Sequence, residues 1–140
     1  MAATASDTEL AGEIHKLLVA LTVRIKAHED VCVGRLALTR MEAKVLYRLE
    51  PGEALPVRTI AERGGVDPSN LSGAVESLEA RGLVERPPAA HDRRVRAVRL
   101  TAEGEELRER LAACLHEGHP AVERLGAEER EALRDLLRRL

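Results

Sequence analysis

The sequence predicts a mainly α-helical chain with one small β-hairpin, on three observations. Apolar residues recur at spacings of three and four through most of the 140 residues. The spacing falls to two in one short stretch after Gly82. With Tyr47 alone and no Phe or Trp, the core must be built from Leu, Val, Ile and Ala, a palette that favours helices over a sandwich or barrel. A chain of this length fits one domain and buries roughly two-thirds of its unfolded surface, enough for a core without staples.

Taken in order, residues 1–6 read as a frayed tail, and Leu10, Ile14, Leu17, Leu18, Leu21 and Ile25 form one helical stripe. The pattern weakens between Ala27 and Ala37. Thr39 with Glu42 then forms a capping box that opens a second helix carrying Met41, Val45, Leu46 and Leu49, and Pro51-Gly52 ends it. Residues 57–63 predict a short helix with Ile60 and Ala61 inward, stopped by Gly64-Gly65. Asp67-Pro68 reads as an N-cap followed by proline at the first helical position, where its missing N–H is harmless. Leu71, Ala74, Val75 and Leu78 carry that helix, and Gly82 supplies a left-handed stop.

Residues 83–86 predict a strand, 87–92 a loop, and Val95, Ala97, Val98 and Leu100 a returning strand. Thr101 caps the next helix, with Leu107, Leu111, Cys114 and Leu115 on its apolar side, until Gly118-His119-Pro120 kinks or breaks it. A last helix over 127–140 places Leu133, Leu136, Leu137 and Leu140 on one face, with Glu128 and Glu129 near its positive end.

The remaining composition narrows the function. Two cysteines, Cys32 and Cys114, offer no paired spacing, which predicts a reducing cytoplasmic setting and no disulfide framework. Lys16, Arg24 and Lys26 interrupt the first stripe, and neither a signal peptide nor a membrane span is expected. No glycine-rich phosphate loop, nucleophile with a base at recognisable spacing or metal cage is legible, so the chain reads as a non-enzyme without a cofactor. The formal net charge of −2 argues against blanket nucleic-acid binding, yet residues 81–99 hold six arginines against two acids.

Two short helices joined by the Gly64–Asp67 turn and followed by a hairpin make a helix-turn-helix with a wing, a unit that docks its second helix in the DNA major groove. The apolar stripe of that helix turns Pro68, Ser69, Asn70, Ser72, Gly73, Glu76 and Ser77 outward. Small side chains let backbone approach base edges, Asn pairs with adenine in two places, and a helix N-terminus attracts phosphate. On the hairpin, Arg93 and Arg94 stand at the expected tip beside Asp92, with Arg86 and Arg96 nearby, where a guanidinium can enter a narrow minor groove. For the helix alone, a plain solvated face explains the same residues equally well.

In order and spacing, the chain resembles the multiple antibiotic resistance regulator (MarR) family over residues 38–104. The resemblance is carried by Leu38-Thr39, Ile60-Ala61, residues 67–73 and 78–86, Asp92-Arg93-Arg94, and the run from Val98 through Thr101 to Gly104. It implies a homodimer whose outer helices, residues 7–37 and 102–140, interlock, while a winged module over 38–101 reads a pseudo-palindromic operator. It makes Asp92 and Arg94 the wing pair, and Ser69, Asn70, Ser72 and Gly73 groove-facing. It further implies a regulator, more often a repressor, released by a small anionic or aromatic compound or an oxidant. Two features depart from the pattern: Ser77 stands where relatives often have a basic residue, and Gly118-His119-Pro120 interrupts a helix that is usually continuous.

Sensing chemistry stays open. Cys114 shares a stripe with Leu107 and Leu111 and reads as a small core residue, whereas Cys32, near His28 and Arg35, could be a reactive thiol. Peroxide-sensing relatives carry their cysteine nearer the start of the first helix. His28, Cys32, Glu42, His116 and His119 form a conceivable zinc set, though surface histidines explain them more simply. Any effector pocket should be lined mainly by aliphatic side chains. A different class of function, a winged protein-interaction module without DNA binding, fits the acidic total charge and Glu76.

Overall fold

A computed structural model describes residues 5–87 and 97–140. The chain order is α1 (Ala5–Arg35), α2 (Arg40–Arg48), β1 (Ala54–Pro56), α3 (Val57–Gly64), α4 (Pro68–Ala80), β2 (Val84–Glu85), β3 (Ala97–Leu100), α5 (Ala102–His116) and α6 (Ala127–Leu137). Two compact units divide it: residues up to Glu29 together with His116–Leu140, and Asp30–Leu115.

In the second unit, local chemistry fixes each helix end. The Thr39 hydroxyl accepts the Glu42 N–H at 3.2 Å while the Glu42 carboxylate accepts the Thr39 N–H at 2.7 Å, the reciprocal box expected of this pair. Helix α3 stops at Gly65, whose φ of 62° is the left-handed region, and α4 is followed by Gly82 at 71°. Helix α1 ends the same way without glycine. The Leu38 N–H reaches the Val33 carbonyl at 3.0 Å, and Ala37 takes the left-handed position at φ 52°.

Helix α1 is continuous through residues 27–35, where the sequence pattern fades. That stretch lacks proline, so nothing removes a backbone hydrogen bond, and Cys32 and Val33 are buried although the stripe around them is thin. The sheet also exceeds the expected hairpin. Strand β1 joins it as an antiparallel edge, giving the order β1-β3-β2 with Leu55 opposite Val98 and Val84 opposite Leu100. Three residues ending in proline are too short to show a period of two, and an edge is where proline is tolerated.

Val45 and Leu46 of α2, Leu49 just beyond it, Ile60 and Ala61 of α3, Leu71, Val75 and Leu78 of α4, Val98 of β3 and Leu111 of α5 are fully buried in one core. Each large side chain there contributes roughly 1.5–3 kcal/mol through burial. The start of α5 lies flush on the chain entering β2. A Cβ on Gly104 would come within 1.8 Å of the Leu83 carbonyl oxygen. Thr101 accepts the Gly104 N–H at 3.1 Å and donates to the Gly82 carbonyl at 2.6 Å, locking the corner.

In the first unit, α5 stops at His116 and Gly118 turns the chain at φ 60°, the break expected from Gly118-His119-Pro120. Arg24 pairs with Glu123 at 3.2 Å, and the His28 and His119 rings meet edge to face at 6.0 Å. Helix α6 ends at Leu137 and buries none of its residues. The first unit's share of α1 leaves Leu10 55%, Ile14 48%, Leu17 62% and Leu18 49% exposed. Among the described residues, no helix is long and apolar enough to cross a membrane.

Candidate nucleic-acid interface

Helix α4 shows one face to the core and another to solvent. Leu71, Ala74, Val75 and Leu78 are buried, while Pro68, Ser69, Asn70, Ser72, Gly73, Glu76 and Ser77 are exposed, the division its apolar spacing predicts. The helix begins on the Asp67 carboxylate, which accepts the Ser69 N–H at 2.9 Å and the Ser69 hydroxyl at 2.7 Å. Hydrogen bonds from the Ser69 hydroxyl and N–H hold the Asp67 carboxyl below its usual range. That fixed negative charge offsets the attraction of the helix N-terminus for phosphate.

Farther along, Ser72 reaches back to the Pro68 carbonyl at 3.5 Å. A Cβ built on Gly73 meets no atom of the chain within 4 Å.

Ser77 and Arg81 have internal partners. The Ser77 hydroxyl donates to Oε1 of Glu42 at 2.6 Å, and Arg81 Nη1 donates to Oε2 of Glu42 at 3.3 Å and to the Ala37 carbonyl at 3.2 Å. Glu42 is 4% exposed, the one buried charged side chain among the described residues. Burial pushes its carboxyl up, but hydrogen bonds from Ser77 and Thr39 and the Arg81 charge more than offset this and hold it below the ordinary glutamate value. The sequence showed Glu42 as a cap residue. Its reach across to α4 depends on tertiary packing and leaves no local signal.

The basic stretch is less free than its arginine count suggests. Arg81 pairs with Glu42, Arg86 with Glu79 at 3.0 Å and Arg99 with Glu85 at 2.6 Å. Arg86, a sequence-predicted contact residue, is thus half-buried beside α4 with its guanidinium engaged. Asp92, Arg93, Arg94 and Arg96 lie outside the described residues.

The cysteines correct the expectation of unlinked thiols. Cys32 of α1 and Cys114 of α5 form a disulfide with Cα atoms 5.7 Å apart. A separation of 82 residues hid the pair, because only the packing of α5 beside the end of α1 brings them together. Cys114, expected as an ordinary core residue, is half-buried and bonded. The conceivable zinc set is not assembled: among the described residues, no three His, Cys, Asp or Glu gather to hold a metal. An open cavity of about 370 Å³ is lined by Leu36, Leu83 and Leu107 but also by Arg81, Glu103, Glu106 and Arg110. Its wall is more charged than the aliphatic lining expected of a pocket.

Comparison with known proteins bears on this geometry. The MarR family profile matches residues 38–95. The HTH-type transcriptional regulator FarR of Neisseria gonorrhoeae is 31% identical over 104 residues, spanning 74% of this chain and 71% of that protein. The structure of CouR from Rhodococcus jostii RHA1 bound to p-coumaroyl-CoA aligns with a TM-score of 0.75 at 29% identity, covering 91% of each chain. A MarR-family regulator from Silicibacter pomeroyi aligns with a TM-score of 0.77 at 26% identity, over 98% of this chain and 93% of that one.

Proposed function

This chain belongs to the MarR family of transcriptional regulators, and from that premise we propose that it is a homodimeric repressor reading a pseudo-palindromic operator in double-stranded DNA. The observation that carries the reading is the solvent face of α4. Ser69, Asn70, Ser72 and Gly73 are exposed over a buried stripe, and Gly73 has no neighbour in its own chain that forbids a side chain. Glycine within a helix costs about 1 kcal/mol relative to alanine. Close approach of a base edge gives that glycine a purpose that intrachain packing does not.

Dimerisation is supported by the exposed leucines of α1 together with Leu136 and Leu137 of α6, an apolar surface that a second copy would cover. Two copies present their α4 helices to half-sites about one helical turn apart. Arg93, Arg94 and Arg96 supply phosphate and minor-groove contacts, with Asp92 orienting Arg94. A small-molecule effector, as CouR binds a coenzyme A thioester, releases the DNA by favouring dimers that cannot span both half-sites. The protein acts in the cytoplasm, where its DNA is.

Titrating genomic fragments at several salt concentrations tests the reading. Operator affinity should fall linearly on logarithmic axes as salt rises. Asn70→Ala should change sequence preference, and Arg94→Ala should weaken binding with the dimer intact. Absence of salt-dependent binding to any fragment would favour a protein-interaction module instead.

The Cys32–Cys114 bond favours a second reading, in which an oxidant is the effector. One thiolate attacks a hydroperoxide oxygen, the O–O bond breaks and an alcohol leaves. The second thiolate then displaces hydroxide from the sulfenic acid, which departs as water. Operator affinity should differ between the oxidised and dithiothreitol-reduced protein, and the difference should vanish in Cys114→Ser. Equal affinities in both states would eliminate this reading.

A further inference from the structure

The Glu42 carboxylate accepts from three donors on two separate pieces of chain. Its own capping box takes the Thr39 N–H at 2.7 Å, while Ser77 of α4 donates at 2.6 Å and Arg81, the C-cap of that helix, at 3.3 Å, and Arg81 also reaches the Ala37 carbonyl just beyond α1. Ser77 and Arg81 lie four residues apart, so they stand one above the other on a single helix face. A helix held at one point can pivot, whereas one held at two points a turn apart on a buried anion has its axial rotation fixed as well. Hydrophobic packing of Leu71, Val75 and Leu78 holds α4 down but is not directional.

We propose that Glu42 is the positioning residue of the DNA-reading helix, its carboxylate fixing the rotation of α4 through Ser77 and Arg81 so that Asn70 and Gly73 meet base edges in register. The proposal rests on the DNA-binding reading above. It also accounts for a serine where relatives often carry a basic residue: this hydroxyl serves the anchor rather than a phosphate. Misplacing a bidentate base contact forfeits discrimination before it forfeits binding, because phosphate contacts tolerate small displacements and base edges do not.

The experiment is the ratio of operator to non-specific DNA affinity, measured by fluorescence anisotropy at fixed salt. Glu42→Gln keeps the size of the side chain and its capping role but loses the charge and cannot satisfy all three donors. It should lower that ratio about tenfold, with non-specific affinity held. Ser77→Ala should lower it too, and the double variant should lose no more than Glu42→Gln alone, since both act through one contact. Arg81→Lys, which restores a cation, should recover part of the ratio lost in Arg81→Ala. Glu50→Gln neutralises the exposed carboxylate that pairs with the half-buried Arg108, away from α4, and should leave the ratio unchanged.

Should Glu42→Gln not fold, Ser77→Ala and the two Arg81 variants carry the comparison. A wild-type ratio in the folded Glu42 and Ser77 variants overturns the proposal, as do losses that simply add. Wild-type protein that shows no preference for any DNA overturns the reading beneath it instead.

Discussion

The two units use the same apolar stripes to opposite ends. In the winged unit, the helical leucines and valines of α2 and α4 are sealed within one core; in the first unit, Leu10, Leu17 and Leu18 of α1 and Leu136 of α6 stand about half exposed or more. Periodicity alone marks a helix face that seeks cover without saying which molecule supplies it. The winged unit covers its stripes within one chain, whereas the outer helices leave theirs open to solvent, the surface the proposed dimer would bury.

The largest way to break that contrast is Gly104→Ala. The new Cβ would meet backbone oxygen 1.8 Å away at Leu83, which cannot swing aside as a side chain could, so the α5–β2 corner must open. We expect a loss on the order of 4 kcal/mol or more, read as collapse of the cooperative thermal transition. A near wild-type melting curve would mean the corner is slack. Next, Leu17→Glu with Leu18→Glu should leave the winged unit's own unfolding unchanged but convert dimer to monomer in sedimentation velocity. Each buried leucine at such an interface is worth roughly 1.5–3 kcal/mol. A double variant that still sediments as a dimer would move the interface elsewhere.

Acid sharpens the comparison at intermediate size. Glu42 in the folded chain has its carboxyl below the ordinary value of 4.5, so its stabilisation is complete above that pH and is lost as pH falls through the lower folded value. Denaturant midpoints should therefore decline in acid below about pH 4.5, and Glu42→Gln should flatten part of the decline; an equally steep limb would contradict the assignment. The smallest effect is a gain. Ala37→Gly relieves a left-handed alanine and should stabilise by about 0.5–1 kcal/mol, visible as a raised melting temperature.

Much of this was legible in the sequence because it is local. Thr39 with Glu42, Asp67-Pro68, Gly65 and Gly82 each act within a few residues, and each helix end falls where those residues put it. The buried stripe of α4 follows from spacing, and with it the exposed face that includes Asn70 and Gly73. What escaped is what long-range packing creates. Strand β1 exists because β3 offers an edge, the Cys32–Cys114 bond because two helices converge, and the engagement of Ser77 with Glu42 because α4 lies across α2. A count of arginines likewise missed that Arg81, Arg86 and Arg99 meet carboxylates only once folded.

Those three ion pairs bear on how such a regulator would search a genome. Cations already matched to carboxylates exert little pull beyond a Debye length of about 10 Å, so Arg81, Arg86 and Arg99 would add little to the grip on unrelated duplex. Encounters with unrelated sequence would be brief, and dwell time would be set by the fit of α4 against its own site. A chain with net charge −2 would thereby trade grip for selectivity and leave wrong addresses quickly.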